Sequence, residues 1–138
     1  MKLSTHLSFG GQCQAAFKFY EQCLGGEILT MLRYGDSPTA EQVPLEWRGK
    51  IAHATLKIGD GTLMGADVLP EPYERPRGFH VLLDTEDPAE AERIFGALAQ
   101  NGTVPMPLQE TFWAARFGVL VDQYGVSWEV QCGIVASE

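Results

Sequence analysis

The sequence predicts an α+β fold of two successive βαβββ modules, whose curved mixed sheets would wrap one cleft if the modules pack against each other. Three observations carry this expectation. Alternation of apolar and polar residues, the period of a half-buried strand, recurs along the chain. Two other stretches repeat their apolar residues every three or four positions and stop at glycine, as helices do. The order of strand, helix and three strands occurs twice, at a nearly constant offset.

The first strand is read over Leu3 to Phe9, where Leu3, Leu7 and Phe9 alternate with Ser4, His6 and Ser8, and Gly10-Gly11 ends it. From Gln12 to Leu24, the stripe Ala15, Ala16, Phe19, Tyr20, Cys23 and Leu24 predicts a helix closed by Gly25-Gly26. Glu27 to Tyr34 reads as a strand and Gly35 to Gly49 as a long surface loop. Lys50 to Ile58 and Thr62 to Ala66 form a hairpin about a turn at Asp60-Gly61. Module one is thus 1–66, followed by a proline-rich linker over 67–77.

Module two, 78–138, repeats the order. Phe79 to Asp84 is a strand. Asp87-Pro88-Ala89-Glu90 resembles a capping box with proline at N1, and Ala91, Ile94, Phe95 and Leu98 form the helix stripe. Asn101-Gly102 ends the helix. Thr103 to Gln109 contains Pro105 and Pro107, which places it at a sheet edge. Trp113 to Val121 and Val126 to Gln131 complete the module around the turn from Asp122 to Gly125.

A chain of 138 residues forms one domain that needs no covalent staple. Its net charge of −8 argues against a nucleic-acid or anionic-membrane surface. Cys13, Cys23 and Cys132 match neither a zinc ribbon nor a disulfide framework, so a reducing cytoplasm is expected. No apolar run reaches membrane-spanning or signal-peptide length. The acids from Asp67 onward, and Glu86, Asp87, Glu90 and Glu92, read as loop and helix-start charge. No GxGxxG, P-loop or nucleophile elbow is found.

His6 and His80 occupy the same slot in the first strand of each module, 74 residues apart. Glu129 is a carboxylate in mid-strand, opposite in facing to Trp128 and Val130. A lone strand histidine is ordinarily solvated or hydrogen-bonded, but two in matching slots together with a strand carboxylate point to a metal site. Two imidazoles and a carboxylate suit Zn, Mn, Ni or Fe(II) and leave positions vacant for substrate. Counting from the turn glycines Gly61 and Gly125, a shift of 64 sets Gly65 in the slot opposite Glu129. Trp113, Arg116 and His53 are read as candidates for lining the substrate pocket, and Arg33 as a second local cation. The cysteines are expected to be inert.

The stretches SFGGQCQAAFKFYEQCLGGEI, RYGDSP, IAHATLKIGDGTLMGAD and above all PLQETFWAARFGVLVDQYGVSWEV resemble the vicinal-oxygen-chelate superfamily, in its PhnB-like branch. The superfamily includes glyoxalase I, bleomycin-resistance proteins, fosfomycin-resistance thiol transferases and extradiol dioxygenases. The resemblance implies the glyoxalase/bleomycin-resistance fold and metal ligands at His6, His80 and Glu129, with Gly65 in the fourth position. It implies a metal-dependent enzyme, a lyase, thiol transferase or dioxygenase, acting on a small oxygenated substrate. It also implies a homodimer in which clefts are completed between chains. PhnB-like relatives commonly lack these ligands, so the rival expectation is a metal-free binding protein of the bleomycin-resistance type. Fosfomycin is not the expected substrate, since only nine residues follow Glu129.

Overall fold

The protein is described by a computed structural model over residues 1–134; positions 135–138, the end of the expected second module, lie outside the described residues. It divides into two compact units, Met1–Arg75 and Pro76–Glu138, whose boundary in sequence falls inside the expected linker.

Unit one contains β1 (Thr5–Phe9), α1 (Cys13–Leu24), β2 (Glu27–Arg33), β3 (Ile51–Ile58) and β4 (Gly61–Asp67). Its sheet runs β1-β4-β3-β2, with β1 parallel to β4 and the other pairs antiparallel. Unit two contains β5 (Val81–Thr85), α2 (Pro88–Leu98), β6 (Thr103–Gln109), β7 (Ala114–Val121) and β8 (Ser127–Ile134). The order β5-β8-β7-β6 repeats the same pattern of parallel and antiparallel pairs. Two four-stranded mixed sheets and two helices make this an α+β fold. No helix among the described residues is long and apolar enough to cross a membrane.

Each sheet has a covered face and an open one. In unit one Leu7, Phe9, Ala54, Leu56 and Leu63 are buried together with Ala16, Phe17 and Tyr20 of α1. The α1 stripe differs from the sequence expectation: Cys13 and Phe17 are buried, whereas Ala15 is exposed and Phe19 half-buried. In unit two the buried α2 residues are the expected Ala91, Ile94, Phe95 and Leu98. They accompany Trp128, Val130 and Leu120 in the core.

The helices begin by different means. Asp87 caps α2 locally, accepting the Ala89 N–H at 3.0 Å, with Pro88 in the first turn. Glu90 does not close a capping box and pairs instead with Arg93 at 2.6 Å. Gln12 gives α1 no side-chain cap. Asp67, expected in the linker, is instead the last residue of β4 and 1% exposed. Its carboxylate accepts N–H groups from Gly11 (2.9 Å), Cys13 (2.9 Å) and Ile51 (2.8 Å). A buried anion at a helix start is stabilised by those donors and by the positive helix end.

The hairpins show where the sequence count slipped. Ile58 pairs with Gly61, so the β3–β4 loop is Gly59-Asp60 and Gly59 takes the positive φ of 54°. Val121 pairs with Ser127, leaving a longer loop closed by Asp122, which accepts the Tyr124, Val126 and Trp128 donors. Loops of different length cannot be aligned glycine to glycine. The expected loop over 35–49 contains three short 3₁₀ turns, Tyr34–Asp36, Ala40–Gln42 and Leu45–Trp47. The prolines of β6 do lie at a sheet edge, where its pairing with β7 is irregular.

Candidate functional site on the open sheet faces

Strand alternation sets what each open face presents. In unit one, His6 pairs with Met64, Met64 with Thr55, and Thr55 with Thr30, so these side chains form one row away from α1. His6 is exposed, while Leu7 (1%) and Phe9 (2%) are buried on the other face, as expected. His53 belongs to the same face: its Nε2 lies 3.2 Å from the Thr55 hydroxyl, two residues on. Unit one therefore brings two of the three histidines to one side of its sheet.

In unit two, Leu82 pairs with Glu129, Glu129 with Val119, and Val119 with Met106. Glu129 is half-buried in this apolar row, while its neighbours Trp128 and Val130 are fully buried on the α2 side. His80 stands one residue before β5 and is exposed, two positions from Leu82. Phe117, paired with Gln131, lies on the open face beside this row. Trp113 packs edge-on against Phe117, centroids 5.3 Å apart, and against Phe112 at 4.7 Å. Phe112 is 90% exposed, so the ladder ends in solvent. Trp113 thus extends the Glu129 face.

Two sequence-derived candidates are placed elsewhere. A Cβ at Gly65 would come within 2.7 Å of the Phe17 ring, so Gly65 faces α1 and leaves room for that ring. Strand pairing explains the error: Ser8 pairs with Ala66 and Leu82 with Glu129, so Ala66 is the counterpart of Glu129. A slip of one residue exchanges the faces of a strand. Arg116 pairs with Cys132 and therefore faces α2, where its Nε donates to Glu92 at 3.3 Å. It does not share a face with Glu129. Arg33 is likewise committed, to Asp36 at 3.0 Å on the surface.

The titration environment sets Cys13 apart from this chemistry. Burial, reinforced by the nearby Asp67 carboxylate, pushes the Cys13 thiol up to about 12. Burial also raises the Tyr34 phenol, with Asp67 and Cys13 adding to the shift. All three cysteines are buried, and none forms a disulfide among the described residues. Cys13 is held as an inert neutral thiol, as its sequence setting implied.

His6, His80 and Glu129 form no hydrogen bond or ion pair among the described residues. Nor, among the described residues of one chain, does any group of three or more His, Cys, Asp and Glu side chains lie close enough to hold a metal ion. A feature that the sequence reading passed over is Lys57, which follows His53 and Thr55 on one strand face; Phe117, read from sequence as core, is instead half-buried as the inner member of the aromatic ladder. The polar alternation His53, Thr55, Lys57 was the available signal.

The family model described as 3-demethylubiquinone-9 3-methyltransferase matches residues 1–131. Protein YjdN of Escherichia coli K12 is 37% identical over 138 residues, covering 94% of each chain. Among solved structures, protein PA1353 from Pseudomonas aeruginosa is 46% identical with a TM-score of 0.89, over 96% of this chain and 98% of that one. A protein from Bacillus cereus described as a putative 3-demethylubiquinone-9 3-methyltransferase, PhnB protein, is 27% identical with a TM-score of 0.80, over 96% and 100%. A glyoxylase/bleomycin resistance protein/dioxygenase domain from Frankia, 16% identical with a TM-score of 0.62 over 96% and 98%, shares the fold alone. The chain therefore belongs to the 3-demethylubiquinone-9 3-methyltransferase family, with a PhnB protein among its structural relatives, and has the glyoxalase/bleomycin-resistance fold, that of the vicinal-oxygen-chelate superfamily its sequence resembles.

Proposed function

We propose that the chain is a metal-dependent enzyme of this superfamily, acting on a small oxygenated substrate, with His6, His80 and Glu129 as ligands of one divalent ion: Zn, Mn, Ni or Fe. The observation that carries the reading is Glu129, a half-buried carboxylate between Leu82 and Val119 with no protein partner among the described residues. A carboxylate so placed has given up part of its hydration, and a cation compensates it. His6 and His80, both exposed, offer imidazole nitrogen donors of the type that completes such a set.

The ligands come from two copies in this proposal, His6 of one protomer with His80 and Glu129 of its partner, as the superfamily resemblance implies. The protein is then a homodimer. A bound ion would supply Lewis acidity toward adjacent oxygens of the substrate. The chain's own residues provide the setting: Trp113 and Phe117 offer an aromatic wall, and His53, tied to Thr55, offers a polar contact on the same sheet face as His6. Methyl transfer is not proposed, since the sequence has no GxGxxG loop for such a cofactor. The acidic charge disfavours nucleic acid as a partner, and three buried cysteines outside any disulfide accord with a cytoplasmic setting.

Elemental analysis of protein purified without added metal tests the proposal. Near-stoichiometric metal that falls with Glu129→Ala and His6→Ala supports it. Metal at trace level, insensitive to both substitutions, favours a metal-free binding protein.

A further inference from the structure

At the hairpin end of sheet one lies a cavity of about 550 Å³, within the range of small-molecule sites. Lys2 and Lys57 border it with the hydroxyls of Ser4 and Thr62 and the side chains of Leu3 and Leu29. Lys57 pairs across the hairpin with Thr62, one row from the His6, Met64 and Thr55 row. Two of the chain's four lysines meet here, in a protein of net charge −8. Neither forms an ion pair among the described residues. The ammonium groups make no close ion pair, although Glu27 is the cross-strand neighbour of Lys57.

The apolar part is equally specific. Leu29 is 54% exposed and sits at the register irregularity between Ile28 and Thr30 of β2, where the strand turns it out of regular pairing. Leu3 is 99% exposed beside it. Exposed leucines next to unpaired ammonium groups and hydroxyls match a ligand with an anionic head and a short apolar body.

We infer that this cavity binds a small organic anion of that kind, a site independent of any metal. Asp60 also borders the cavity and opposes an anion, which gives the inference a signed test.

The experiment is a titration of the full ¹⁵N-labelled chain, prepared without metal, with hexanoate, hexanol and acetate. Hexanoate is expected to shift the Gly59, Gly61 and Thr62 amide signals and to bind more tightly than hexanol. Lys57→Gln should weaken hexanoate by about fivefold, the scale of one exposed charge contact. Asp60→Asn should tighten it, and Leu29→Ser should weaken hexanoate while leaving acetate unchanged. Equal affinity for hexanol and hexanoate would overturn the inference. So would unchanged hexanoate binding in Lys2→Gln and Lys57→Gln variants whose spectra show an intact fold.

Discussion

Three backbone N–H groups from separate parts of unit one converge on the carboxylate of Asp67, and its own carbonyl accepts the Tyr34 hydroxyl at 2.7 Å. Asp67→Ala would strand those donors, two of them in fully buried contacts, and should destabilise the fold by about 3 kcal/mol or more, read by urea denaturation. The neighbouring Cys13 gives a pH signature of defined sign. The unfolded thiol ionises near 9.0, whereas the folded one keeps its proton to about 12. The folded state then binds more protons between those values, and stability should fall as pH rises, by up to about 1.4 kcal/mol per pH unit. Cys13→Ala should flatten that slope in denaturation curves taken from pH 8 to 11. Neither role was legible in the sequence, because Asp67 and its partners lie up to 56 residues apart and only the fold joins them.

At the scale of elements, α2 and α1 mark what sequence can and cannot carry. The start of α2 is local: Asp87, Pro88 and the stripe from Ala91 to Leu98 all lie within a dozen residues, and reading and structure agree. Asp87→Ala should cost about 1 kcal/mol, measurable as a lowered thermal midpoint. The start of α1 has no local cap, and its buried stripe was misread because Phe17 fills the space that Gly65 leaves on a distant strand. The same close contact removed Gly65 from the site. The alternation rule placed His6 and Glu129 on the open faces correctly, since it depends on neighbours two residues away. Arg116 failed because adjacency to aromatic residues says nothing of facing; its register partner Cys132 decides it.

For the whole molecule, the duplicated order of elements was legible from periodicity and glycine stops, and both sheets repeat one topology. The offset between modules was less secure, because a two-residue hairpin loop in one corresponds to a longer loop in the other. The site reading joins His6 of the first unit to His80 and Glu129 of the second, and it is a claim about assembly as much as chemistry. The most direct test is a zinc titration of chelator-treated protein, as wild type, as His6→Ala, as Glu129→Ala, and as the two variants unfolded together and refolded as a mixture. The account predicts one ion per chain in wild type, none in either variant alone, and partial recovery in the mixture, where heterodimers regain one intact site. Tight zinc binding retained in Glu129→Ala, or no binding by the wild-type protein, would contradict it.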